Sequence, residues 1–243
     1  METAEKKVRG LSGTELKYIA ILAMFIDHVA QLFVPQRTAL YVVMRLVGRI
    51  TAPLMCFFIS EGYHHTRNVK KYIGRLAVFA VISHPAFNYC FNGRLFSLHS
   101  SSVITTLLLA LLTVCVLNSE TVPRAYKLPI ILLLMYASRG CDWGYTAILF
   151  TLAFELGHGS GKRQIIGYAA SAFTIMCIDC FKVLAKAPEF FTSKIPSFGV
   201  LIPALLLLAY NGERGGGKAS KWVFYVFYPV HLFVLGYIYN KYC

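Results

Sequence analysis

LKYIAILAMFIDHVAQLFV, residues 16–34, is an apolar run close to the roughly 20 residues a membrane-spanning helix needs, yet it carries Asp27 and His28 side by side. Ionisable groups at membrane depth cost about 2.5–3.5 kcal/mol each on insertion scales, so they face a polar cavity, a partner charge or a substrate path. The run sets the fold class, and its two polar residues open the question of function.

The rest of the chain repeats the pattern. Of 243 residues, 57% are hydrophobic and 14% charged, against roughly 25% charged in a soluble domain. With a mean hydropathy of +0.58, the expectation is an all-α polytopic transmembrane bundle forming a single integral-membrane domain over residues 1–243. Apolar runs fall at 16–34, 40–62, 72–91, 103–118, 128–138, 143–156, 164–184, 198–211 and 222–240. These are about nine hydrophobic segments, of which 128–138 and 143–156 are short for a full span. The polar start, with Lys6, Lys7 and Arg9 ahead of a run long enough to span, reads as a retained helix rather than a signal peptide.

The formal charge of +13 is an orientation signal. Alternate loops place Lys6, Lys7, Arg9, Arg67, Lys70, Lys71, Arg124, Lys127, Lys162, Arg163, Arg214, Lys218 and Lys221 on one side. Arg37, Arg94, Arg139, Lys186, Lys194 and Lys241 fall on the other. Thirteen against six predicts the N-terminus inside and a multi-pass protein of the cytoplasmic membrane, with the lipid bilayer as its first partner. Basic residues scattered over short loops argue against nucleic acid. The seven cysteines read as small packing residues; Cys177-x-x-Cys180 lacks a second pair, and no metal is expected, since neighbours such as His64 and His65 diverge by about 100° on a helix.

His28 stands about 16–17 Å along the first helix from Lys17, on nearly the same face. Arg45 and Arg49, spaced i and i+4 on the next segment, are the expected partners of Asp27. In the last segment Tyr228 and His231 share a face, and Pro229 predicts a kink through the carbonyl of Tyr225. The basic stretch Arg67, Asn68, Lys70 and Lys71, with Arg75 one turn on, suits phosphate oxygens. Asp142, beside Tyr145, is expected in an exposed loop, where it could meet an acceptor.

The segments LKYIAILAMFIDHVA, RLVGRITAPLMCFFISEGYHHTRNVKKYIGRL, SSVITTLLLALL, CDWGYTAIL and FYPVHLFVLG, in this order from Leu16 to Gly236, resemble the TraX family of membrane proteins. The resemblance implies an acyltransferase associated with N-terminal acetylation of pilin subunits, with acetyl-CoA as donor. Lys17-x10-His28 is similar to a motif of membrane acyltransferases that O-acetylate cell-surface sugars, which usually have Arg where this chain has Lys17. On this reading Asp27 orients His28 as base, Arg49 or Tyr228 stabilises the oxyanion and His231 is a second acid/base group. Lys17, Arg67, Asn68, Lys70, Lys71 and Arg75 hold the acyl-CoA, and a protein or envelope group is the acceptor. A small-molecule transporter and a non-catalytic assembly partner are the competing classes.

Overall fold

A computed structural model describes residues 10–97, 99–186, 188–217 and 220–243. Among them there are ten α-helices and no strand; the β-type pairings are isolated bridges, Leu11 with Tyr210 and Ser101 with Cys141. The helices are α1 Gly13–Phe33, α2 Ala39–Gly48, α3 Thr51–His65, α4 Val69–Asn92, α5 Val103–Asn118, α6 Arg124–Ala137, α7 Gly144–Leu156, α8 Gly161–Lys186, α9 Ile202–Leu208 and α10 Ser220–Tyr242. Four segments are long and apolar enough to cross a membrane: Gly13–Phe33, Ala39–His65, Gly161–Lys186 and Trp222–Tyr242. Of the cations used for orientation, Lys6, Lys7, Arg9 and Lys218 lie outside the described residues, as does the side chain of Lys221.

The run at 40–62 is two helices in line rather than one. Pro53 has no amide hydrogen for the carbonyl of Arg49 and crowds it. The chain accordingly breaks at Arg49 and Ile50, with Ile50 N–H bonded to the carbonyl of Val47. The run at 198–211 also differs: a 3₁₀ stretch, Pro188–Leu201, leads into the short α9. The Tyr168 hydroxyl on α8 bonds the carbonyl of Val200 and ties this stretch to the bundle.

Helices α1, α4 and α10 run in parallel, with α10 packed on both α1 and α4; α3, α5 and α7 run the other way beside them. Leu16, Leu54, Leu76, Ile104, Leu107, Ile148, Phe154 and Tyr228 form the centre of the core. Ser12 begins α1 with a capping box, its hydroxyl accepting from Glu15 N–H and the Glu15 carboxylate accepting from Ser12 N–H. Cys56 and Cys90 are buried, whereas Cys177 and Cys243 are exposed, and all seven cysteines are free.

Candidate active site

One end of the bundle gathers charge. Asp27 on α1 accepts from Arg45 on α2 at 2.6 Å and from Gln31, one turn along its own helix, at 2.9 Å, all through Oδ2. The approach of α1 to α2 depends on Gly48, where a β-carbon would stand 2.0 Å from Asp27 Oδ1. Arg49, at the helix break, does not reach Asp27 with a hydrogen bond; its guanidinium lies over the ring of Trp143, 5.3 Å from the centroid. Asp27 Oδ1, Arg49 Nε and Ser102 Oγ are buried without a hydrogen-bond partner on the protein.

Asp27 does not orient His28. Successive residues on a helix point about 100° apart, and the carboxylate is taken by α2. His28 is instead held by His231 of α10: His28 Nδ1 and His231 Nε2 are 2.8 Å apart, and both residues are 5% exposed. His231 Nδ1 lies 2.8 Å from the carbonyl oxygen of Phe227. A carbonyl only accepts, so His231 Nδ1 carries the hydrogen. With both rings neutral, His231 Nε2 is then the acceptor and His28 Nδ1 the donor, which leaves the lone pair on His28 Nε2.

Tyr228, fully buried, accepts a 3.4 Å bond from Val103 N–H at the start of α5, so its own hydroxyl hydrogen is free to donate. Its ring meets that of His28 edge-on at 6.5 Å. The segment before α7 completes the cluster. Asp142 N–H bonds the carbonyl of Ser101, Thr106 Oγ1 bonds the carbonyl of Asp142, and His84 Nδ1 reaches Ser101 Oγ at 3.4 Å. Asp142 is not the exposed loop carboxylate expected from the sequence. Burial pushes its carboxyl up to about 6, the Asp27 carboxylate adding to this and Arg49 and Arg45 opposing it. Trp143, next to it, has φ 63°. A bulky residue in the left-handed region costs about 1–3 kcal/mol and persists where the surroundings over-determine it.

The proposed donor residues lie toward the other end and do different things. Asn68 caps α4, its Oδ1 accepting from Lys71 N–H at 2.9 Å. Arg67, Lys70 and Lys71 are exposed. Arg75 turns inward over Tyr72, 5.4 Å from the ring centroid, near Tyr225; Lys17 lies over Phe58 at 4.6 Å. Near them is a polar cluster the sequence reading passed over. Glu155 of α7 accepts from Ser60 at 2.6 Å, His64 at 2.7 Å and Asn118 at 2.8 Å. Beside it Glu61 accepts from Gln164 at 2.9 Å and faces His158, whose ring stacks on His64 at 3.6 Å. The signal was available: Glu155, like Asp27, is a charge inside an apolar run.

The TraX protein family model matches residues 12–239, which contain every residue of both clusters. The chain belongs to the TraX family. A TraX-like relative is the probable fimbrial assembly protein FimC, serogroup H1, of Dichelobacter nodosus, 38% identical over 232 residues that cover 92% of this chain and 94% of that protein. The uncharacterized protein RP591 of Rickettsia prowazekii is 39% identical over 49 residues, 20% of this chain and 18% of its own. No solved structure matches. For this TraX family member, sequence, apolar helices and family agree on a membrane protein.

Proposed function

We propose that this protein is a multi-pass acyltransferase of the cytoplasmic membrane, with its N-terminus inside and about nine segments in the bilayer. It moves an acetyl group from cytoplasmic acetyl-CoA to an acceptor reached from the outer side. The relative from Dichelobacter nodosus, whose name concerns fimbrial assembly, supports a pilus-related acceptor such as a subunit N-terminus. The observation that carries the reading is the chain of atoms from the Phe227 carbonyl through His231 to His28, which fixes one tautomer and leaves His28 Nε2 as a neutral base.

In the proposed reaction His28 Nε2 takes the proton of the acceptor amine or hydroxyl as its nitrogen or oxygen bonds to the thioester carbon. The hydroxyl of Tyr228 and the guanidinium of Arg49 stabilise the oxyanion. The carbon–sulfur bond then breaks, and the imidazolium returns its proton to the CoA thiolate. The exposed cations Arg67, Lys70 and Lys71 attract the donor's phosphates, with Asn68 capping α4 beside them and Arg75 one turn further along it.

The test is transfer from labelled acetyl-CoA in proteoliposomes, with pilin N-terminal peptides and envelope extract as acceptors and wild type beside His28→Ala. Label on an acceptor together with free thiol, both absent from a folded His28→Ala, is the expected result. Equal transfer by the variant would remove His28 from the mechanism. No acetyl-CoA turnover by wild type would favour the assembly-partner reading that the relative's name also supports.

A further inference from the structure

Helices α4 and α10 pack against each other along their length, and two of their contacts mark the levels of a groove. The rings of Phe79 and Tyr225 stack at 4.9 Å at one level. At the other, Gly236 lets α10 lie against Cys90, where a β-carbon would stand 2.7 Å from its Cα. Between the two, each helix contains an internal proline, Pro85 and Pro229. Each ring displaces the carbonyl one turn earlier. A groove of about 470 Å³ lies on the outward face, lined by these prolines and by Ala86, Val230, Phe233 and Val234.

Leu95 also lines the groove, and its chain neighbours Arg94 and Phe96 line a second, polar hollow with Asn92, Ser97 and His99. The apolar groove thus has, as its neighbour along the chain, a polar pocket that carries a cation. The groove's lining is apolar, as a hydrocarbon chain requires, and the cation of the polar hollow suits an anionic head.

We propose that the groove and the adjoining pocket form a binding site for one anionic membrane lipid, its chain between α4 and α10 and its phosphate-bearing head at Arg94. The site lies on the face of α10 opposite to His231 and does not depend on the acyl-transfer reading. It differs from general contact with bilayer lipid in setting an apolar groove beside a polar pocket that carries Arg94.

The experiment uses the full chain in vesicles of phosphatidylethanolamine and phosphatidylglycerol, doped with phosphatidylglycerol or phosphatidylcholine that carries a photoactivatable group in its chain. Crosslinks are mapped by peptide mass spectrometry. The expected result is labelling concentrated at 82–86 and 226–234 over the lipid-facing residues of α8, and stronger with the anionic probe. Val230→Trp, at an exposed position on the groove wall, is expected to cut this labelling about tenfold, since displacing about two buried methylene groups suffices. Arg94→Gln is expected to keep the labelling but erase an anionic preference of about fivefold. Labelling spread evenly over α4, α8 and α10, or unchanged by Val230→Trp, would overturn the proposal. So would equal use of the two probes by wild type.

Discussion

The Glu155 cluster and the Asp27 cluster bury similar chemistry and treat it differently. At the α3–α7 end both oxygens of Glu155 are taken, by Ser60 on one and by His64 and Asn118 on the other. At the α1–α2 end, Asp27 Oδ1, Arg49 Nε and Ser102 Oγ have no protein partner, and Trp143 is held in a strained conformation. Buried polar groups are nearly always paired. A fully paired cluster braces helices, whereas the one with unpaired atoms and backbone strain is where the proposed reaction is placed.

The sharpest way to break this contrast is to remove the centre of each cluster. His28→Ala is expected to lower acetyl transfer by about 10²–10⁴, the usual worth of a positioned base, while leaving the protein folded. Glu155→Ala is expected to do the reverse. It strands the Ser60 hydroxyl, the Asn118 amide and the His64 imidazole, which at about 1–3 kcal/mol for each unsatisfied group lowers stability by several kcal/mol. Thermal melting in detergent, read beside turnover, separates the two. A Glu155→Ala protein that melts normally but is inactive would put function at both ends.

Gly48→Ala gives a smaller effect. The new methyl would fall 2.0 Å from Asp27 Oδ1, so α1 and α2 must separate or the carboxylate must turn from Arg45. Overpacking of this kind costs about 1–3 kcal/mol. Gly48→Ala is expected to lower the melting point and to lose activity in step with Arg45→Gln. Activity retained in the glycine variant alone would show that the Asp27–Arg45 pair is a brace like the one at the far end.

Much of this contrast was legible in the sequence, and the remainder was not for physical reasons. A charge in an apolar run, as at Asp27, His28 and His231, announces itself because the bilayer penalises it wherever it falls. Arg45 followed from i, i+4 spacing and the turn of the chain. The partner of His28 did not, because it comes from a residue 203 positions away, and the Asp-His adjacency suggested a contact that helix geometry forbids. Asp142 was misread because a short polar stretch between two apolar runs looks like a loop at the surface. Asp142 N–H donating to the Ser101 carbonyl and Thr106 Oγ1 donating to the Asp142 carbonyl help to fold it down onto the site. The break at Arg49 could have been read from Pro53, four residues on.

The smallest effect concerns that same Asp142. Its carboxyl is pushed from the ordinary value of 3.8 up to about 6, by burial first. The folded protein therefore holds this proton more tightly than the unfolded chain. Between about pH 4 and 6 the native state binds more protons, so stability falls as pH rises through this window, and the cost is fully present above it. Asp142→Asn removes the ionisation while keeping the shape. At pH 8 the variant is expected to melt a few degrees above wild type, and at pH 4 the two should converge. Activity sharpens the meaning of the result. If the ionised carboxylate seats a cationic acceptor such as a peptide amine, wild-type transfer rises through about pH 6 and Asp142→Asn loses that rise, even as it gains stability. A variant both more stable and equally active at pH 8 would assign Asp142 to packing, and would leave Asp27 as the carboxylate that distinguishes this end of the bundle from the other.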